Sequence, residues 1–482
     1  MLYTDLEDIL VKVRASLEHD DVAGAVAALE ALRAPDQADL FSELEDEHQT
    51  ALLPQLNPED AADILEELED EEAAGIVATL PRDTVARIID EMEPDEAADL
   101  LGELEPADQE YVLRQLEDQA EVRPLLLHAE DSAGGLMTSD FLALGRRMTV
   151  AEALEALHTW KPDAEDIYDV YTVDREGRPT GTIGMRQLLM EEPSAVLSEV
   201  VEKDFVSVPV GIDQEEVARL MSRYDLATLP VVDGHGRLAG VITIDDVVDV
   251  LEEETTEDFQ RFGGTQPLDR PYLESSVLTV ARKRIGWLLL LFVTETLTGS
   301  VLRHFEAEMA AVVSLAFFIP LLIGTGGNAG SQTTSTIIRA LAVEDLDKRG
   351  LLRPLLHELS VGLLLGAVMA VVAYGRALLW GTGSAVALTV SLSIGMIVVW
   401  ANILGSLLPI IAQRLKIDPT VVSGPAMSTL VDATGLFISS PVAGLSLASL
   451  WCAARGGSGY FGAPARRVAD VRYSWLPKMT GR

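Results

Sequence analysis

Residues 317–338 read FFIPLLIGTGGNAGSQTTSTII, and the organisation of the whole chain can be worked out from this uncharged stretch. Its first half is apolar enough for a bilayer, whereas glycines, amides and hydroxyls make up most of its second half. Glycine and Pro320 are poor helix formers, and irregular backbone at membrane depth is tolerated only where protein surrounds it or water fills a path. The stretch therefore predicts a broken membrane helix that lines a passage.

A single carboxylate later in the chain indicates what the passage carries. Asp432 is the only Asp, Glu, His, Lys or Arg between Asp418 and Arg455. A carboxylate in the middle of a membrane span costs about 2.5–3.5 kcal/mol on insertion scales, so its default interpretation is a cation pathway. The alternative, a buried partner for an arginine, is disfavoured because the arginines of this half lie at the ends of the apolar segments. We therefore expect a pore for cations.

Charge separates the chain into an acidic half and a membrane half. Residues 281–482 carry 17 Lys and Arg against 10 Asp and Glu, whereas residues 1–280 carry 19 against 67. The acidic half offers no basic face for phosphates, which argues against a nucleic-acid partner and in favour of cations. The alternative is that the surplus carboxylates only keep this half soluble.

The single cysteine and the first residues bear on the compartment. Cys452, being alone, excludes an intrachain disulfide and a cysteine-based zinc cluster. The first residues, MLYTDLED, lack the basic and apolar regions of a signal peptide. We therefore expect the amino-terminal domains to lie in the cytoplasm. Together with the apolar second half, this predicts a multi-pass protein of the plasma (inner) membrane, surrounded by lipid.

A period of 12 residues runs from about Ala25 to Leu116. Each repeat is an octet such as AADILEEL followed by four residues of turn, and the octets close at Leu32, Leu44, Leu56, Leu68, Leu80, Met92, Leu104 and Leu116. One two-turn helix cannot bury its own apolar face, so neighbours must stack. Residues 1–130 are therefore predicted as an all-α superhelical domain. Its acidic outer face is interpreted as a solvated surface unless another acidic surface meets it.

Residues 131–252 alternate predicted strands and helices in two similar units. A strand at 168–174, a Glu176-Gly177 turn and a partner strand at 180–183 recur about 60 residues later. This tandem β-β-α arrangement resembles a pair of cystathionine-β-synthase-type (CBS) domains. The segment Gly240–Asp246 of the second unit resembles the motif that holds an adenosine ribose in such domains. The resemblance implies ATP at Thr243 and Asp246, at one site rather than two, because the first unit lacks the acid.

The next segment, 245–259, is predicted as a helix with a strongly acidic face. Asp246, Asp249, Glu253 and Glu257 recur at three- and four-residue spacing, and like charges at this spacing destabilise a helix. A positive group must then sit between them. Arg or Lys would serve but few are near, whereas a hydrated divalent metal suits oxygen-only ligands, with Mg²⁺ or Ca²⁺ preferred over zinc or copper. Residues 253–280 are predicted as a plug or connecting helix.

Five apolar segments predict an all-α membrane domain over residues 281–450, each segment near or above the roughly 20 residues that a helix needs. They are 285–302, 309–338, 355–375, 386–412 and 419–450. Basic residues concentrate on the side that the amino terminus shares, which is the positive-inside pattern and puts residue 1 in the cytoplasm. The basic tail, 451–482, departs from this pattern.

The order of these parts resembles the MgtE family of magnesium channels. The most specific motifs are Pro320 with Gly326–Gln332, Asp418-Pro419, Gly424-Pro425 and Thr429–Gly435. The resemblance implies a homodimer that imports Mg²⁺, with Asp432 from each subunit at a central site. Mg²⁺ gives up its water reluctantly, so Asn328 and backbone carbonyls near Gly326, Gly327 and Ala426 are expected to accept from its bound waters.

The resemblance also implies that cytosolic Mg²⁺, the regulator as well as the substrate, closes the channel. Carried over position by position, Glu59 and Asp95 of the superhelix would face Asp225, Asp246 and Asp249 of the second CBS unit. Glu254, Glu257 and Asp258 of the plug would lie near Asp418 at the pore mouth. Several ions that bind only the closed form would shut the channel cooperatively.

Three other classes remain open. An ion-coupled secondary transporter for divalent cations also uses broken spans and a mid-membrane carboxylate, but the five segments show no clear inverted halves. A CBS-bearing anion channel is disfavoured by Asp432. An enzyme is disfavoured because no nucleophile–base pair or phosphate loop stands out.

Overall fold

The 12-residue period folds into short helices that stack in two rows. Each helix packs on the helix two places further along the chain, which is the contact pattern of a superhelix. Pro58, Pro94 and Pro106 lie in the first turns of their helices, and Pro81 caps another. The helices are α1 Tyr3–Glu18, α2 Val22–Leu29, α3 Ala34–Ser42, α4 Asp46–Leu52, α5 Pro58–Glu66, α6 Asp70–Val77, α7 Arg82–Ile89, α8 Pro94–Glu103, α9 Pro106–Leu113 and α10 Gln119–Leu125, with a 3-10 turn at Leu53–Gln55. The predicted helical superhelix is confirmed.

The structure is a computed structural model that describes residues 3–19, 21–160, 169–268, 272–273, 275–304, 313–343, 352–435 and 437–438. The chain forms two units, Met1–Glu254 and Thr255–Arg482. Residues 451–482, the predicted basic tail, lie outside the described residues. So do residues 436 and 439–450 of the predicted fifth span.

Two three-stranded sheets carry the repeat that the sequence predicts. Their strand orders are β1-β2-β3 and β4-β5-β6, each with one parallel and one antiparallel pair. The register shifts at Thr172/Val173 in one sheet and at Val231/Val232 in the other, so even the irregularity is repeated. The elements are β1 Ala143–Gly145, α11 Val150–Trp160, β2 Asp169–Val173, β3 Pro179–Gly184, α12 Met185–Met190, α13 Leu197–Val200, β4 Val208–Pro209, α14 Gln214–Tyr224, β5 Thr228–Val232, β6 Leu238–Thr243 and α15 Ile244–Phe262.

One hydrophobic core joins the superhelix to the second sheet. The buried cluster includes Leu101 of α8, Met137 of the connecting segment and Val247 of α15. The first sheet has a separate core around Val170 and Ile183. The acidic first turn of α8 is thereby held against the region where β6 leads into α15.

Long helices dominate the second unit. They are α16 Val277–His304, α17 Val313–Ala316, α18 Ile319–Val343, α19 Leu352–Leu379 and α20 Ser384–Arg414, followed by a 3-10 turn Pro419–Val421 and a helix over residues 424–435, here α21. Three described helices, α16, α19 and α20, are long and apolar enough to cross a membrane. They match the first, third and fourth predicted spans, while the count of five stays a prediction.

The prediction that the glycine-rich stretch forms a broken helix is wrong. Residues Ile319–Val343 form one continuous helix, with Pro320 in its first turn, where a missing N–H costs nothing. The glycines instead permit close packing: a Cβ on Gly326 would lie 2.4 Å from Ile397 and 2.8 Å from Val431. Gly405 of α20 likewise faces the Gly330 carbonyl, 2.7 Å from where its Cβ would be. Small residues let membrane helices approach closely, and that gain outweighs poor helix propensity.

Candidate cation sites

Asp432 is presented by the last described helix of the membrane half. The 3-10 turn before this helix is capped by Asp418, whose carboxylate accepts from the Thr420 N–H at 2.8 Å. Asp432 is half-buried. Its Oδ1 atom is buried and has no hydrogen-bond partner among the described residues. An unpartnered carboxylate oxygen inside protein is costly, which makes it a ready ligand for a cation or for the water of a hydrated cation.

Small polar residues hold α18 against α21 beside Asp432. A Cβ on Gly327 would lie 3.3 Å from the Cβ of Ser428, one turn before Asp432. Ser331 donates to the Gly424 carbonyl at 3.1 Å. On the far side, the Trp400 indole donates to Thr434 at 2.9 Å. These contacts fix α21 and therefore the position of the carboxylate.

The other predicted pore ligands differ in their surroundings. The Asn328 side chain is exposed and makes no hydrogen bond among the described residues. Gly326 and Gly327 lie inside a continuous helix, so their carbonyls belong to the helical ladder and the broken-helix carbonyls expected there are absent from this described segment. Ala426 lies in the first turn of α21, where its N–H donates to the Ser423 hydroxyl oxygen at 3.4 Å. Coordination by any of the four stays a prediction.

An arginine occupies the position where sequence analysis expected a metal near Asp418. Arg261, in the last turn of α15, pairs with Glu257 and also donates to Asp418 at 2.8 Å. Asp258 lies beside Glu257 and is also partly buried. Arg or Lys was weighed against a hydrated metal for this acidic face in the sequence analysis, where few basic residues were noted nearby. Arg261 lies four residues after Glu257, and this spacing was the available signal.

The end of α15 and the segment after it pack against the start of α16 and α21. Gly264 has a φ of +76°, and its Cα faces the Trp287 ring and Pro425. The Gln266 N–H donates to the Lys283 carbonyl at 3.2 Å. Phe262 lies against Gly424. The predicted plug segment is therefore anchored, within the second unit, at the same turn that carries Asp418.

A second acidic site lies in the first unit, where α8 meets α15. Asp95 is 5% exposed, and its Oδ1 has no hydrogen-bond partner among the described residues. Burial, and then the negative charge of Asp246, raises the pKa of Asp95 well above its ordinary value. Burial likewise raises the pKa of Asp246 to about 6. The geometry thus brings together the predicted pair Asp95 and Asp246.

The same site contains acidic residues that the sequence analysis missed. Burial and the neighbouring carboxylates raise the pKa of Glu96 to about 10, of Asp99 to about 7 and of Asp70 to about 6. Groups with such raised pKa values hold protons at neutral pH or require a cation nearby. Acidic residues are so dense here that spacing could not single these out.

The remaining predicted members of this site are spread more widely. Burial and nearby charges raise the pKa of Asp249, and burial together with the charge of Asp249 raises the pKa of Glu67. Glu59 and Asp225 are exposed, Asp225 as the left-handed cap of α14. Glu254 accepts from the Gln214 amide at 2.8 Å. In the described part of the chain, no three His, Cys, Asp or Glu side chains are arranged to hold a metal ion directly.

The predicted nucleotide residues lie where β6 leads into α15. The Asp246 Oδ2 atom accepts from the Thr243 hydroxyl at 2.6 Å and from its N–H at 3.2 Å. A second polar chain links the two sheets, since Thr228 donates to Asp169 at 2.6 Å and its hydroxyl lies 2.6 Å from that of Tyr171. Thr243 and Asp246 fit an adenosine ribose by their donor and acceptor types.

A helical-repeat domain, two three-stranded sheets and apolar helices long enough to cross a membrane are the parts expected of a transport protein, and a half-buried carboxylate with one unpartnered oxygen among the described residues suits a cation. Three family models agree with this class: Divalent cation transporter over residues 319–440, MgtE intracellular N domain over 32–131, and CBS domain over 197–253. The magnesium transporter MgtE of Thermus thermophilus is 41% identical over 446 residues, which cover 92% of this chain and 99% of the relative. The chain therefore belongs to the MgtE family of magnesium transporters.

Other relatives cover less of the chain. The magnesium transporter MgtE of Enterococcus faecalis is 32% identical over 68% of this chain and 72% of its own length. A crystal structure of the cytosolic domain of the Mg²⁺ channel MgtE in complex with ATP is 39% identical and has a TM-score of 0.47. It covers 50% of this chain and 99% of its own.

Proposed function

We propose that this chain is a Mg²⁺-selective channel that imports magnesium and that closes when cytosolic Mg²⁺ binds its acidic surfaces. The observation that carries the proposal is Asp432, a half-buried carboxylate whose Oδ1 has no hydrogen-bond partner among the described residues. No lysine or arginine pairs with it in that part of the chain. A negative group left unpaired at membrane depth is the expected ligand of a permeating cation.

A hydrated ion suits this site better than a stripped one. Mg²⁺ demands octahedral oxygen ligands and dehydrates reluctantly, so it usually keeps several waters and is held by one or two carboxylates. One Asp432 supplies one carboxylate, and a homodimer with its two-fold axis along the pore supplies two. The proposal therefore includes a homodimer.

Replacing Asp432 with Asn tests the pore. The neutral amide is nearly isosteric but lacks the charge, so Mg²⁺ flux into proteoliposomes should fall at least about 100-fold, as expected when roughly 3 kcal/mol of binding is lost. An unchanged melting temperature of the purified protein would show that folding is intact. Normal Mg²⁺ flux through a well-folded Asp432→Asn protein would refute the pore assignment.

An ion-coupled secondary transporter for divalent cations is the alternative. Two observations favour the channel: the glycine-rich α18 is continuous rather than broken, and it is packed tightly on α20 and α21. Discontinuous helices are the hallmark of many alternating-access carriers. Unitary currents from single channels in a patch would support the pore, and flux that depends on a counter-ion gradient without such currents would support the carrier.

Regulation is proposed to act through the acidic site of the first unit. Asp95 and Asp246 repel each other while both are largely buried, and protons or a cation must compensate that charge. A divalent ion with oxygen ligands satisfies this requirement at neutral pH. Mg²⁺ bound here would stabilise one arrangement of α8 against α15, and that arrangement is proposed to be the closed one.

A nucleotide is proposed at the second CBS unit, with Thr243 and Asp246 on its ribose. Asp246 already accepts two hydrogen bonds from Thr243, which orients its carboxylate. The ATP complex of the 39%-identical cytosolic domain motivates the choice of ligand. Asp246 would then serve both ATP and Mg²⁺, so the two would affect each other's binding. The proposed location is the plasma membrane, with residues Met1–Glu254 in the cytoplasm.

A further inference from the structure

One carboxylate of the membrane helices has no role in the proposed channel mechanism. Glu295 lies in α16, 11 residues after Arg284 and eight before Arg303. At 1.5 Å per residue these separations are about 17 Å and about 12 Å along the helix, which puts Glu295 inside a hydrocarbon core about 30 Å thick. Its side chain is exposed on this chain and makes no ion pair among the described residues. Contact with lipid would cost about 2.5–3.5 kcal/mol, so it is expected to face water or protein.

Glu295 lies at the edge of the face by which α16 packs inward. The less exposed positions of this helix, Trp287, Leu291, Thr294 and Thr298, recur every three or four residues. Glu295 follows Thr294 and lies one turn before Thr298 on the same side. The apolar residues of the opposite side, among them Phe292, are exposed. The carboxylate is therefore turned from the middle of the lipid-facing side.

Thr298 provides a second observation on this face. It is 3% exposed, and its hydroxyl has no hydrogen-bond partner among the described residues. Its neighbours behave differently, because Thr294, Thr296 and Ser300 each donate to a carbonyl of their own helix. A buried hydroxyl that forgoes this bond is available to a bound water.

Glu295 and Asp432 lie at a similar depth. Trp287 of α16 and Pro425 of α21 both flank Gly264. Glu295 is eight residues beyond Trp287, about 12 Å, and Asp432 is seven residues beyond Pro425, about 10.5 Å. Two carboxylates at one level, neither of which is in an ion pair among the described residues, leave a place for a mobile cation.

We propose that Glu295 and Thr298 complete the cation site of Asp432, holding a hydrated divalent cation between two different helices through its bound waters. The inference rests on the proposed channel function and adds a specificity-determining carboxylate to it. Contact through water agrees with the absence, in the described residues, of three side chains arranged for direct coordination. Two carboxylates per subunit favour a doubly charged ion over a singly charged one.

The test uses full-length protein in proteoliposomes and two probes, Mg²⁺ flux and its block by cobalt(III) hexaammine, an inert analogue of hydrated Mg²⁺. Glu295→Gln should raise about tenfold both the Mg²⁺ concentration for half-maximal flux and the hexaammine concentration for half block. Glu295→Asp should restore most of the loss. Thr298→Val should weaken the block severalfold, whereas Thr296→Val, which removes a hydroxyl already satisfied within α16, should match the unmodified protein.

The outcomes separate this inference from the channel proposal. If Asp432→Asn abolishes flux while Glu295→Gln and Thr298→Val leave both probes unchanged, Glu295 is outside the cation site and the inference is wrong. If Asp432→Asn is also without effect, the channel proposal fails with it. Should Glu295→Gln fold poorly, Thr298→Val decides, because it changes one atom group at nearly constant volume.

Discussion

At Gly326, the packing of the membrane helices depends on the absence of a single atom, the Cβ. A Cβ there would lie 2.4 Å from Ile397, whereas a Cβ on Gly324, two residues earlier in the same helix, would meet nothing within 4 Å. Gly326→Ala should lower the free energy of unfolding by about 1–3 kcal/mol through overpacking, reduced by the roughly 1 kcal/mol that alanine gains in helix propensity. Gly324→Ala should keep only that gain.

Thermal unfolding of the two purified variants in the same detergent checks this pair. Gly326→Ala should melt below the unmodified protein and Gly324→Ala at or above it. Equal melting temperatures for the two variants would mean that the close approach of α18 to α20 and α21 contributes nothing to stability.

The role of some residues can be predicted from the sequence, and the role of others cannot. Asp432 is isolated in an apolar run, so its chemistry could be predicted from the sequence. Glu295 sits between Thr294 and Thr296 in a helix with basic ends, and nothing in that pattern distinguishes a pore carboxylate from a snorkelling one. The common depth of Glu295 and Asp432 depends on how α16 and α21 pack at Gly264, and the sequence alone does not show that packing.

At the scale of elements, Arg261 makes the end of α15 a latch on the turn that carries Asp418. It pairs with Glu257 and Asp418, and both partners are partly exposed, so the contact is worth about 0.2–1 kcal/mol. Arg261→Gln should release the plug segment when Mg²⁺ is absent and raise the open probability at low internal Mg²⁺ about two- to fivefold. Saturating Mg²⁺ should still close the channel, because it can occupy the freed carboxylates.

Patch recordings at several internal Mg²⁺ concentrations check the latch. Arg219→Gln is the matched control, because Arg219 makes the same kind of exposed ion pair, with Glu216 of α14, and neither residue belongs to the proposed gating contacts. A low-Mg²⁺ open probability that is the same in Arg261→Gln and Arg219→Gln would show that the latch has no part in gating.

Helices were predicted more accurately in the superhelix, where the 12-residue repeat dominates, than in the membrane half. In the superhelix, helix length, turn length and the buried positions Leu44, Leu56 and Leu80 all follow from the 12-residue repeat. In α18 the same local reasoning failed, because glycine weakens an isolated helix but strengthens one that is packed against close neighbours. The acidic site was predicted in its centre, Asp95 and Asp246, and missed at its edges, where many carboxylates satisfy the same spacing.

At the scale of the whole molecule, regulation should depend on where negative charges lie and not on their number. Neutralising Asp246, Asp249 and Glu257 together removes proposed Mg²⁺ ligands, and a ligand closes a channel only through its preference for the closed form. The internal Mg²⁺ concentration for half closure should rise tenfold or more, which corresponds to about 1.4 kcal/mol. Current recordings over a range of internal Mg²⁺ measure this directly.

The control changes the same charge elsewhere. Glu18, Glu30 and Glu45 are exposed carboxylates of the superhelix, and replacing all three with Gln should leave closure by Mg²⁺ unaltered. If both triple variants shift closure equally, the acidic half acts as a diffuse counter-charge and the specific sites are wrong.

The glycine contact between α18 and α21 also constrains how Asp432 can move. Gly326 and Gly327 lie against Val431 and Ser428, and the Ser331 hydroxyl of α18 also donates to the Gly424 carbonyl at the start of α21. Because contacts at both places join the two helices, we infer that α18 and α21 move together and that the depth of the carboxylate stays constant during gating. A disulfide between Gly327→Cys and Ser428→Cys, whose Cβ atoms would lie 3.3 Å apart, should then be tolerated in the open and the closed state. Ion flow should respond to the internal Mg²⁺ concentration equally in the oxidised and the reduced protein, and a response that is lost on oxidation would show that the two helices slide past each other.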